Sequence, residues 1–181
     1  LQYFEHVVET EQVGDELFAR PALTMLERRK AQRDSIEARC RALAEVVNAE
    51  PDEPWLIWTH LNDEADLIES ILADCINVQG SDSPESKTKN MMAFTHGELR
   101  ILCSKPKICG YGMNWQHCAR MAFVGLDDSF EKFYQAVRRC YRFGQKRSVQ
   151  VHLFTAENEG QILDNLKRKE VQHHEMSASM I

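Results

Sequence analysis

From Pro54 onward the chain alternates short, mostly apolar runs with amphipathic segments, and this alternation leaves few architectures open. The apolar runs are Trp55–Thr59, Ile76–Gln79, Ile101–Ser104, Met121–Gly125 and Val149–Phe154. Each is too short for a buried helix, and most place apolar residues on both alternating faces. Each therefore predicts a strand covered above and below. Helical patterns separate them. Asn62 stands in a capping position ahead of Ala65, Ile68 and Leu72, and Ser83-Pro84 places a cap residue and a first-turn proline together. Strands that alternate with helices imply an α/β fold: a parallel sheet of about five or six strands with helices on both faces. In such sheets ligands collect at the carboxyl ends of the strands. The loops after Thr59, Gln79, Ser104 and Gly125 then form one functional edge.

The first fifty residues read differently. Residues 1–20 are acidic and weakly patterned, as in an arm or linker. Thr24-Met-Leu-Glu27 has capping-box spacing and predicts a helix from Met25 to about Asn48, with Ile36, Cys40, Leu43 and Val47 as its buried stripe. Glu50-Pro-Asp-Glu-Pro54 ends it. The expected organisation is an N-terminal arm and helix over 1–50, an α/β domain over 51–172 and a flexible tail over 173–181, with a last helix from about Glu157 to Val171.

No apolar run reaches the 18 residues that a membrane helix needs, so membrane association is not expected. None of the six cysteines forms a C-x-x-C pair. They read as buried reduced thiols in a cytoplasmic, reducing setting, and no metal site is expected. The net charge of −6 is unevenly spread. Lys105–Arg147 holds nine Lys/Arg against three Asp/Glu, so this segment carries +6 and the remainder −12. A basic segment in an acidic chain is a local footprint for an anionic partner.

Within that segment, Gln135, Arg139 and Arg142 fall at helical spacing. Phe130, Phe133, Tyr134, Val137, Cys140 and Tyr141 form the opposing apolar stripe, and Gly144 supplies a stop. Asp127-Asp-Ser129 offers cap residues. The expectation is one helix that buries its apolar face and presents two guanidinium groups outward, an arrangement suited to phosphate. A surface helix with solvated arginines is the alternative that spacing leaves open.

The motif Gln135-x-x-x-Arg139-x-x-Arg142-x-Gly144-Gln145 resembles motif six of superfamily-2 helicases of the Swi/Snf-like branch. The loop Ser104-Lys-Pro-Lys-Ile-Cys-Gly-Tyr-Gly-Met-Asn-Trp115 is similar to motif five, although Pro106 stands where many relatives have threonine. Trp55-Leu-Ile-Trp-Thr-His-Leu61 is similar to motif four. Gly80-Ser81 with Lys87 resembles the segment that follows. The wording is closest to phage and bacterial members.

The resemblance implies the second RecA-like lobe of a DNA helicase or translocase. Arg139 and Arg142 would be arginine fingers, assisted by Gln135. Gly110, Gly112 and Asn114 would form a loop near the nucleotide, and Thr59, His60, Gly80, Lys105 and Lys107 would contact the DNA backbone. ATP with Mg²⁺ would be held mainly by a first lobe, because no G-x-x-x-x-G-K-[ST] loop is present in this sequence. The isolated chain is accordingly expected to bind no nucleotide tightly. A non-catalytic nucleic-acid or protein docking module stays open as the alternative. A DEAD-type RNA helicase lobe is disfavoured by the Arg-Phe-Gly-Gln ending.

Overall fold

The structure, a computed structural model, describes residues 1–9, 30, 33–109, 112–126, 129–157, 164–165 and 168–169. In chain order its elements are β1 (Gln2–Val8), α1 (Ile36–Asn48), β2 (Trp55–Thr59), α2 (Asn62–Ile71), β3 (Cys75–Val78), α3 (Pro84–Thr95), β4 (Ile101–Ser104), α4 (Pro106–Cys109), β5 (Arg120–Val124), α5 (Phe130–Val137) and β6 (Gln150–Ala156). The six strands pair in the order β1-β6-β5-β2-β4-β3, and every pairing is parallel.

The near-continuous apolar strands follow from burial on both faces. Leu56, Trp58, Leu102, Met121 and Phe123 point to one side, where they pack with Phe94 of α3, Cys109 of α4 and Phe133 and Val137 of α5. Trp55, Ile57, Ile101, Cys103, Ala122 and Val124 point to the other, against Cys40, Leu43 and Val47 of α1 and Ala65 and Ile68 of α2. All six cysteines are buried free thiols. No helix among the described residues is long and apolar enough to cross a membrane.

One expectation about the first fifty residues changes. Gln2–Val8, expected in an acidic arm, is the sheet's edge strand and pairs with β6 along its whole length. Its sequence lacks the apolar run of a central strand because it has one covered edge and an exposed flank, where Tyr3, Phe4 and Val7 are exposed. The helix is described over 36–48, with its expected stripe packed against the sheet. The capping sequence at Thr24, the last helix beyond Glu157 and the tail lie mostly or wholly outside the described residues.

β1 is fastened through its aromatic side. The His6 and His152 rings stack at 5.2 Å and share a 3.0 Å hydrogen bond between Nε2 and Nδ1. Phe4 also stacks on His152, and His6 on Phe154. Burial, then the neighbouring His6 imidazole, pulls His152 down from the ordinary histidine value to about 4. The Glu50 carboxylate opposes this shift and Arg120 adds to it.

A histidine whose folded value is depressed stabilises fully above its unfolded value near 6.5. It loses that contribution as pH falls towards 4, because the unfolded chain takes the proton first. Stability is expected to fall by roughly 2–3 kcal/mol across that window. Urea titrations at pH 7 and pH 4.5 would measure it, and His152→Phe, which keeps the stack and removes the proton site, should flatten the difference. An unchanged slope would assign the acid sensitivity elsewhere.

Candidate nucleic-acid and phosphate surfaces

The candidate residues form two groups at opposite ends of the sheet. The first lies at the carboxyl ends, as expected for a parallel sheet. β2 exits through His60, β3 through Gln79 and Gly80, β4 through Lys105 and β5 through Gly125. Two adjoining cavities open there. One, of about 160 Å³, is lined by Thr59, His60, Lys105 and Lys107 together with residues of β5 and α5. The other, of about 290 Å³, is lined by Gly80, Ser81, Asn77, Lys105 and Lys107 among others. Lys105 and Lys107 line both, so His60, Gly80 and the two lysines share one edge.

Lys105 loses some basicity to partial burial and to the adjacent Lys107 ammonium. Like charges held this close favour an anion between them. Lys87 donates from Nζ to the Gly80 carbonyl at 2.7 Å, which fixes the Gly80 turn. Thr59 departs from expectation. It is the last residue of a central strand and only 2 % exposed, so it forms the floor of this edge and does not reach outward.

The edge is set by a buried charge pair that sequence reasoning did not single out. Arg39 of α1 pairs with Glu64 of α2 at 2.8 Å, and neither side chain is exposed. The second carboxylate oxygen, Oε2, accepts from the backbone amides of His60 at 2.9 Å and Leu61 at 2.8 Å. Glu64, reaching back over the first turn, therefore satisfies amides at the start of α2. Asn62, expected as the cap, is instead the first helical residue, and Leu61 occupies the cap position. Gly125, at φ +73, closes the other side. A Cβ there would lie 2.5 Å from Glu64 Oε1.

The second group surrounds the arginines, and its geometry corrects the expected single helix. α5 stops at Val137, and residues 138–140 continue as turns. Ser129 caps its start by accepting from the Lys132 amide at 3.4 Å. Asp127 and Asp128 lie outside the described residues. Phe133, Val137 and Cys140 are buried as the stripe required, but Tyr141 is exposed because the helix has ended.

The two arginines consequently differ. Arg139 is 8 % exposed. Its guanidinium donates to the Gln135 carbonyl at 3.0 Å, the Met113 carbonyl at 3.1 Å and Gln135 Oε1 at 3.4 Å. Arg142 is exposed on the turn that follows. Arg139 thus ties the glycine loop to the arginine segment, and the Trp115 amide answers by donating to the Arg139 carbonyl at 2.9 Å.

Gln145 extends the tie. Its Nε2 donates to the carbonyls of Gln116 at 2.9 Å and Cys140 at 3.1 Å, with Cys118 at 3.5 Å. Gln116 returns a 2.5 Å bond to the Phe143 carbonyl. Gly112 (φ +81) and Gly144 (φ +94) adopt left-handed conformations that a side chain would disfavour. Gly112 and Asn114 are exposed, Gly110 lies outside the described residues, and Trp115 is buried with Nε1 on Thr95 Oγ1.

This clamp lies towards the amino ends of the strands. Arg147 pairs with Glu53, two residues ahead of β2, and Arg120, the first residue of β5, pairs with Glu50. α5 carries the chain from the carboxyl end of β5 back across the sheet before the arginines occur.

Comparison with known proteins agrees with this architecture. The helicase conserved C-terminal domain family matches residues 38–144, more than half of the chain. No curated protein sequence matches it. Among solved structures, the C-terminal part of the Fun30 ATPase domain superposes with a TM-score of 0.63 at 18% identity, over 71% of this chain and 44% of that one. A variant of S. cerevisiae Dbp5 bound to RNA and ADP BeF3 gives 0.64 at 12% identity, over 74% and 36%. The C-terminal domain of the DEAD-box protein Dbp5 gives 0.64 at 13% identity, over 74% and 78%. The chain therefore spans less than half of the Fun30 and RNA-bound Dbp5 chains, and identities this low carry the fold alone. With its parallel six-stranded sheet and its matched segment running from α1 through Gly144, the chain belongs to the helicase conserved C-terminal domain family.

Proposed function

We propose that the chain is the second lobe of a DNA-dependent ATPase of Swi/Snf-like type, one that tracks along DNA. The observation that carries this reading is the clamp around residues 112–118 and 135–145. It fixes the backbone on both sides of Arg142 and leaves that guanidinium exposed. A charge held on a fixed backbone suits phosphoryl transfer, where positive charge must stand ready as negative charge spreads over the transferred group. ATP and Mg²⁺ would be held by a first lobe. Arg142 would reach the phosphates across the cleft, while Arg139 and Gln135 hold the segment and Gly112 and Asn114 face the same cleft. His60, Gly80, Lys105 and Lys107, at the other end of the sheet, would follow the DNA backbone over the floor formed by Thr59.

Binding to duplex DNA and duplex RNA at one salt concentration tests the nucleic-acid half of the proposal. DNA should bind more tightly, and affinity should fall with salt. Replacing Lys105 and Lys107 together with alanine should weaken DNA binding about tenfold and lower the salt slope by about 1–2. Tighter binding to RNA, or an unchanged slope, would overturn the DNA assignment.

A further inference from the structure

Phe143 is 101 % exposed, and no other large apolar side chain among the described residues exceeds 57 %. Scattered apolar residues are ordinary on a surface. A whole aromatic ring in water is less ordinary when its backbone is fixed. On a free loop such a ring can fold back against its own chain. The turn that carries Phe143 is instead fastened on both sides. The Phe143 carbonyl accepts from Gln116 Nε2 at 2.5 Å, and the Arg142 carbonyl accepts from the Gln145 amide at 3.0 Å. Gly144 then turns the chain at φ +94. The ring is held out from the surface and contributes no burial to this chain.

Its surroundings point to a protein partner. Tyr141 and Arg142 beside it are also exposed. Aromatic side chains and arginine carry much of the energy of protein interfaces, and a preformed backbone lowers the cost of docking them. Residues 132–156 contain six Lys/Arg and no Asp or Glu. An apolar knob among positive charges complements an apolar pocket with an acidic rim. Nucleic acid is the poorer fit, because the lysine edge lies at the carboxyl ends of the strands and this turn lies with the clamp towards the amino ends. More than half of the Fun30 and RNA-bound Dbp5 chains lies outside the part that this chain matches, so in both the shared fold is accompanied by further polypeptide.

We propose that Phe143 is the anchor by which this lobe docks on the first lobe. The ring enters an apolar, acid-rimmed pocket there as the cleft closes, and so fixes where the neighbouring Arg142 arrives. The proposal rests on the two-lobe reading above. Phe143 is a positioning residue in it, and Arg142 is the group that meets phosphate.

The test uses the protein carrying both lobes, with one fluorophore on each. Energy transfer reports closure while ADP with beryllium fluoride, a mimic of the bound γ-phosphate, is titrated. Phe143→Ala should raise the concentration that half-closes the protein about tenfold, the scale of one lost anchor. Phe143→Leu should recover most of the loss. Binding of ADP alone should not change. In steady state Phe143→Ala should raise KM for ATP and largely keep kcat, whereas Arg142→Ala loses kcat. In the chain by itself, the urea midpoint of Phe143→Ala should match the parent, because the ring has no burial to lose.

Unchanged closure in Phe143→Ala, with turnover lost in Arg142→Ala, would overturn the anchor and leave the two-lobe reading standing. Turnover that survives Arg142→Ala would remove the arginine finger, and the closure titration then decides the anchor alone. An equal loss of affinity for ADP alone would place the ring on the nucleotide, and a loss of DNA affinity would place it on nucleic acid. Either result would overturn the docking site. A parent protein that does not close would overturn both readings.

Discussion

Replacing Glu64 with alanine is expected to destabilise the chain by roughly 3–5 kcal/mol, the usual cost of stranding one partner of a buried ion pair. Arg39 would be left charged with no exposed surface, and the His60 and Leu61 amides would lose their acceptor. Natural domains have only about 5–15 kcal/mol in total, so the variant should melt far below the parent. Urea unfolding followed by circular dichroism measures the loss.

Two companion variants separate the causes. Arg39→Met combined with Glu64→Gln removes both charges and should recover much of the stability, because the ion pair's net worth is small once neither partner is stranded. Gly125→Ala should approach the single variant in severity. Its methyl group would meet Glu64 Oε1 at 2.5 Å, and its backbone would be held at φ +73. A loss below about 1 kcal/mol for Glu64→Ala would mean that water reaches the carboxylate and that the pair does not set the edge.

The pair also marks where the sequence was legible and where it was passed over. Ile36, Cys40, Leu43 and Val47 identified the buried stripe of α1 correctly. Arg39 falls on that stripe, three residues after Ile36, and a charge at such a position asks for a buried partner. Glu64 stood three residues after the true cap position, which is capping-box spacing, but Asn62 drew the assignment because its residue type favours caps.

The central strands were legible because burial on both faces leaves an apolar run. β1 was not, because an edge strand with an exposed flank carries no such signature. The arginine segment failed for a third reason. Helical spacing continues through Arg142 on paper, but nothing in a period reveals that Arg139 and Gln145 find better acceptors in the glycine loop than solvent provides. Those bonds span 26 and 29 residues of sequence and belong to tertiary structure.

That same difference gives the second large expected effect. In a protein carrying both lobes, Arg142→Ala should lower ATP turnover by about a thousandfold, the scale of an arginine finger, while DNA affinity changes little. The loss should appear in kcat, because the interaction would form only as charge spreads in the transition state. Arg142→Lys should recover little, since an ammonium cannot reproduce the planar two-point contact of a guanidinium.

Arg139→Ala should behave differently. Its guanidinium holds two carbonyls of the clamp, so its loss should lower stability and loosen the glycine loop as well as slow turnover. Unfolding curves and single-turnover kinetics on both variants distinguish the roles. Intact stability with lost chemistry identifies Arg142 as the group that acts on phosphate. Surviving ATPase with lost DNA affinity would move Arg142 to the nucleic-acid surface and leave the phosphates to another residue.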